Sequence, residues 1–171
     1  DMSKLSPELI IIYSATIVGS VGGGHFSSLL IKRGWETSKA RKTALLIFAL
    51  MELVLLYTPF ATNVWVVVGI ISFVLAAHQA WSTNMFTLVT DLFPNQAVSS
   101  VTGIGAMFGA IGGMLFPILI GHILDRYKES GNLVRGYNLL FFGCAVIYLA
   151  AWIIIHLLTR KSATVKLSEL I

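Results

Sequence analysis

Five long apolar runs alternate with short polar breaks along the chain, at residues 9–31, 43–58, 64–90, 98–120 and 138–158. A helix needs about 20 mostly apolar residues to cross a hydrocarbon core, and the runs approach or reach that length. They are continuously apolar, not alternating, which excludes the strands of a closed barrel and leaves helices to satisfy every backbone N–H and C=O in lipid. The pattern predicts an all-α integral membrane fold of five transmembrane helices.

Composition agrees with a bilayer as solvent. The chain is 56% hydrophobic and 12% charged, with a mean hydropathy of +0.83, too apolar for a domain that must cover its surface with polar groups. Charge then orients the spans. Between the first two runs lie Lys32, Arg33, Lys39, Arg41 and Lys42, five cations that mark a cytoplasmic loop by the positive-inside rule. With the tail residues Arg160, Lys161 and Lys166, eight basic residues fall inside, against Lys4, Arg126, Lys128 and Arg135 outside. The formal charge of +4 is thereby a topology signal and no footprint of nucleic acid. An odd number of spans puts Asp1 outside with no signal peptide ahead of it, so residues 1–171 are expected to be the C-terminal piece of a longer protein.

Reactive chemistry is not indicated. The single cysteine, Cys144, lies in the last span, and His25, His78, His122 and His156 lack ligand spacing, so neither metal, disulfide nor cofactor is expected. The chain carries no GxSxG, Walker A or HExxH run, and the glycines from Gly103 to Gly109 are off register for a dinucleotide loop. An enzyme is not expected. Gly105, Gly109 and Gly113, spaced by four, instead form a smooth ridge for helix packing, and Gly19 with Gly23 forms a shorter one.

Polar residues inside spans are the candidate functional groups. At about 100° per residue, the third span gathers Ser72, Gln79, Thr83, Thr87 and Thr90 on one narrow face, a pattern suited to a substrate-lined wall. The competing reading is that each hydroxyl bonds back to a carbonyl of its own helix. Trp81 and Asn84 lie off that stripe and are candidates to flank a sugar-sized ligand if the helix bends. The first span offers a similar face with Tyr13, Thr16, Ser20, Gly24 and Ser27. Glu52, near the middle of the second span, is either a proton carrier or a protonated packing residue. Asp91, just before Phe93 and Pro94, is placed to pair with a cation of the basic loop as a latch or gate.

Two segments carry a family resemblance. GGGHFSSLLIKRG (22–34) followed by KARK (39–42) resembles the loop between helices eight and nine of major facilitator superfamily transporters of the anion:cation symporter family. TDLFPNQAVSSVTGIGAMFGAIGGMLFPILIGHILD (90–125) resembles the helix ten to eleven junction of its hexuronate and sugar-acid branch. The resemblance covers nearly the whole chain and implies that the five spans are helices eight to twelve of a twelve-helix transporter. Its two halves would hold substrate near the bilayer midplane and rock to alternate access.

By residue, the resemblance implies a substrate site at Thr83, Asn84, Thr87 and Thr90, with Gln79 and Trp81 one turn deeper and Tyr13 on helix eight. Arg33, Arg41 and Asp91, with Gly105, Gly109 and Gly113, would serve gating and conformational change. The chain departs from the family pattern at Ser28, where an acidic residue is usual, which leaves Asp91 as its candidate replacement. Glu52 would fall on a peripheral helix. The family's substrate-binding arginine and proton-coupling carboxylates would belong to an N-terminal half absent from this chain. The expected whole is a multi-pass plasma-membrane (inner-membrane) symporter, set in membrane lipid, for a hexuronate with protons. Galactonate, glucarate or tartrate are the alternative substrates, and a five-span membrane subunit without transport of its own is the alternative class.

Overall fold

The computed structural model describes residues 7–159. Five long helices follow one another: α1 Pro7–Lys32, α2 Thr37–Met51 continued by a 3₁₀ segment Glu52–Phe60, α3 Val64–Leu92, α4 Asn95–Glu129 and α5 Leu133–Leu158. All five, counting α2 with its extension, are long and apolar enough to cross a membrane. Of the basic residues used to orient the spans, Lys4, Arg160, Lys161 and Lys166 lie outside the described residues.

Local chemistry explains where the helices stop. Gly34 (φ 88°) ends α1 with Trp35 N–H bonded to Leu30 O and Gly34 N–H to Ile31 O, the paired bonds of a Schellman turn. Gly131 (φ 70°) ends α4 the same way, through Asn132 N–H to Tyr127 O and Gly131 N–H to Lys128 O. Asn63 caps α3 by accepting the Trp65 N–H at 2.8 Å.

Two elements differ from the hydropathy reading. The second span is α-helical only to Met51 and then tightens into nine residues of 3₁₀ helix. Pro59 accounts for the far end of that segment, because it has no N–H to donate and its ring disfavours α geometry in the residue before it. The fourth helix runs 35 residues, about 50 Å at 1.5 Å per residue. Its last turns, with Asp125, Arg126, Lys128 and Glu129, therefore extend past a hydrocarbon core about 30 Å thick.

Packing centres on α3, which contacts α1, α2, the 3₁₀ segment and α4. The closest approach is between α1 and α3, where Gly19 faces Ala76 and Gly23 faces Ala80 so tightly that a Cβ at either glycine would enter the opposing backbone. Fully buried Ala40, Ala44 and Ala49 let α2 approach its neighbours in the same way. Phe26 and Phe48 close the α1–α2 contact edge to face, 5.8 Å between centroids. By contrast, among the described residues α4 touches only α3 and α5 and buries none of its own.

Candidate functional site

The α1–α3 interface carries a polar seam, built because two smooth glycine–alanine surfaces bring the flanking hydroxyls within reach. Ser20 Oγ lies 3.2 Å from Thr83 Oγ1. The Thr83 hydroxyl already donates to Gln79 O at 2.9 Å, so Ser20 is the donor across the interface. Further along, Thr87 donates to Thr83 O at 2.6 Å and Thr90 to Thr87 O at 2.8 Å. The threonine hydroxyls thus bond back to their own helix, as the competing reading of the stripe held. Their protons are committed, and Thr83 Oγ1 also accepts from Ser20, so each hydroxyl keeps only acceptor capacity. Gln79, half-buried, has no side-chain hydrogen-bond partner among the described residues and supplies the amide donors that the threonines lack.

Trp81 and Asn84 do not join this face. Asn84 is fully buried, its Nδ2 donating to Gly23 O at 2.9 Å and to Ala80 O at 2.8 Å. It clamps α1 to α3 at the point where Gly23 allows the helices to meet. Trp81 packs beside Ala44, Phe48 and Ala80 and stands edge to face on Tyr148, 5.3 Å between centroids. Among the described residues both are engaged in helix packing, since the residues one and four places beyond Ala80 point toward α5 and α1 respectively in an unbent helix. Tyr13 is 66% exposed, about two turns from Ser20 on α1, with only its carbonyl engaged, by Thr16.

One end of the seam closes in a charged cluster. Arg41, at the start of α2 and 9% exposed, donates from Nε to Asp91 Oδ2 at 3.0 Å and from Nη1 to Ser27 Oγ at 2.5 Å. Three helices meet at this guanidinium. Ser28, where the acidic residue was expected, donates to Gly24 O instead, and Asp91 is the carboxylate that Arg41 holds. Arg33 is exposed where α1 ends. Beside the cluster, Lys42 Nζ reaches Thr159 O at 2.8 Å and Trp152 Nε1 donates to Lys42 O at 2.9 Å, tying α5 to α2.

The glycine ridge of α4 meets no partner among the described residues. A Cβ placed on Gly105, Gly109 or Gly113 meets nothing within 4 Å. The described helices therefore use the α1 glycines for close approach and leave those of α4 open. Glu52 opens the 3₁₀ segment and is 2% exposed. The sequence reading named Ser27 only as part of the polar face of the first span and His78 only for lacking ligand spacing, and it passed over Tyr148 and Trp152; their partners lie 14 to 110 residues away. No local pattern announces contacts at that range. Among the described residues no group of His, Cys, Asp and Glu is arranged to hold a metal.

No protein-family profile matches the chain, and no solved structure matches it. It is similar to the probable galactarate/D-glucarate transporter GarP of Escherichia coli strain K12, 24% identical over 131 residues, covering 75% of this chain and 28% of that protein. It is also similar to the probable galactarate/D-glucarate transporter GudP of Bacillus subtilis strain 168, 27% identical over 107 residues, covering 63% and 23%. The D-galactonate transporter of Escherichia coli O6:H1 is 21% identical over 122 residues, covering 71% and 28%. The chain thus spans about a quarter of the length of the curated relatives it matches. It is a multi-pass membrane protein similar to proteins named as probable galactarate/D-glucarate transporters and as a D-galactonate transporter.

Proposed function

We propose that this chain is the C-terminal portion of a secondary active transporter in the plasma membrane that takes up a sugar acid together with protons, by alternating access between two helical halves. The observation that carries the reading is the similarity to three proteins named as sugar-acid transporters, found on a chain whose α3 bears a hydrogen-bonding face. The relatives' names favour an aldarate or galactonate as substrate, with hexuronates in the same chemical class. Sugar hydroxyls donate to the Thr83 and Thr87 oxygens and accept from Gln79, while the Arg41–Asp91–Ser27 cluster latches α1, α2 and α3 during one phase of the cycle.

A sugar acid also brings a carboxylate, which binds well only opposite a buried cation. Arg41, a buried cation of this bundle, is already committed to Asp91 and Ser27. In this reading the substrate cation and the coupling carboxylates come from parts of the protein beyond these residues. Uptake of radiolabelled galactarate by cells producing the complete protein tests it. Accumulation driven by an inward proton gradient and competed by glucarate, galactonate or glucuronate is expected. Absence of sugar-acid uptake by protein that is folded and membrane-inserted refutes the assignment.

A further inference from the structure

The 3₁₀ segment, α3, α4 and α5 line an open apolar cavity of about 870 Å³. Its wall is made by aliphatic and aromatic side chains and by Gly109, Gly112 and Gly113 of α4, whose missing side chains leave the space open. Glu52 lines it, buried, with Oε1 lacking any hydrogen-bond partner among the described residues. The other titratable groups on the wall are His78 from α3 and Cys144 and Tyr148 from α5, while α2 and α4 contribute none. His78 Nδ1 and the Tyr148 hydroxyl are bonded to each other. No Lys or Arg lines the cavity, so an ionised Glu52 would face a low-dielectric space without a counter-ion.

We propose that Glu52 is a proton-binding site of this membrane bundle, a carboxyl held protonated against the apolar cavity and separate from the polar seam of α1 and α3. Cavity, burial and the orphaned oxygen carry this together. A salt-bridged or solvent-facing glutamate would show a cation or water-accessible surface, and among the described residues this one shows neither. The inference does not rest on the sugar-acid reading, because it concerns the carboxyl and its surroundings and no substrate.

Such a carboxyl has a diagnostic reaction with an apolar carbodiimide. The acid proton passes to a carbodiimide nitrogen and the carboxylate oxygen bonds the central carbon. The acyl group then migrates from oxygen to nitrogen, leaving a stable N-acylurea that retains the whole reagent with no leaving group. The complete protein in isolated membranes is treated with dicyclohexylcarbodiimide or with a water-soluble carbodiimide, and the peptide bearing Glu52 is weighed. Exposed Glu129 serves as internal reference. The expected result is modification of Glu52 by the apolar reagent alone, falling as the medium is made alkaline, and slowed in Gly112→Leu, which fills the cavity at a position with free space. Loss in Glu52→Gln of an infrared carbonyl band typical of a protonated acid is the second readout, independent of reagent access. Modification of Glu52 by the water-soluble reagent as readily as Glu129 overturns the proposal. So does absence of both the adduct and the carbonyl band.

Discussion

Arg41 Nε lies 3.0 Å from Asp91 Oδ2, joining residues 50 positions apart at the mouth of the bundle. The guanidinium is nearly buried and the carboxylate side chain 29% exposed, so Asp91 keeps contact with water while Arg41 depends on its partners. Removing the carboxylate in Asp91→Asn leaves a buried cation with only Ser27 Oγ. The loss should be about 1.5–3 kcal/mol, the worth of a hydrogen bond to a charged group. A thermal melt of the purified protein checks this, and Asp91→Glu should recover part of the loss. Equal melting of Asp91→Asn and wild type would show that the pair holds nothing together.

The two glycine ridges should behave oppositely. At Gly19 and Gly23 an added methyl runs into the backbone of Ala76 and Ala80, which cannot move aside as a flexible side chain would. Gly19→Ala and Gly23→Ala should each force α1 from α3, an overpacking cost of about 1–3 kcal/mol or more, seen as loss of monodisperse protein on size exclusion. Gly105→Ala meets open space within the described helices and replaces a poor helix former, so its folded yield should match or exceed wild type. A drop with Gly105→Ala as large as with Gly19→Ala would mean that a further surface presses on α4.

These ridges also show what the sequence made legible and what it did not. Five spans could be read from the lengths of apolar runs, because in lipid the hydrophobic requirement is local and continuous. Gly34 and Gly131 end helices for an equally local reason, the positive φ that each adopts, but the apolar runs alone did not single them out. The GxxxG spacing, however, reports smoothness and not what lies opposite, so α1 and α4 read alike although, among the described residues, one is packed and the other open. The threonine stripe was legible as periodicity, yet its backbone bonding and the inward turn of Asn84 depend on where α1 sits. His78 and Tyr148, 70 residues apart, carry no joint signal in the sequence at all.

Asn84 and Thr83 are adjacent but should answer different measurements. Asn84 spends both amide hydrogens on carbonyls inside the α1–α3 contact, whereas Thr83 belongs to the face assigned to substrate. Asn84→Ala should lower the melting temperature, reflecting about 0.5–1.5 kcal/mol per lost hydrogen bond, with KM for sugar-acid uptake little changed. Thr83→Val and Gln79→Leu should raise KM and leave melting near wild type. A raised KM in Asn84→Ala with unchanged melting would return that residue to the substrate site, and unchanged kinetics in both Thr83→Val and Gln79→Leu would remove the face from it.

The His78–Tyr148 bond is the remaining polar link across the interior, and its chemistry makes the two ends unequal. His78 Nδ1 bonds the phenol hydroxyl, and Trp81 and His78 both stand edge to face on the same Tyr148 ring. Tyr148→Phe keeps the ring and both aromatic contacts while deleting the hydroxyl, so it isolates the hydrogen bond. It leaves the imidazole nitrogen partly buried without its partner, a cost of about 1–3 kcal/mol. His78→Leu removes the polar atom on α3 but leaves the hydroxyl without a partner on α5, so it too should destabilise. The double variant His78→Leu/Tyr148→Phe removes both polar ends and should melt above either single variant. That ordering follows because an apolar pair of similar shape leaves no orphaned polar group, whereas each single change leaves one. A double variant that melts at the sum of the two single losses would show that the two groups are not coupled.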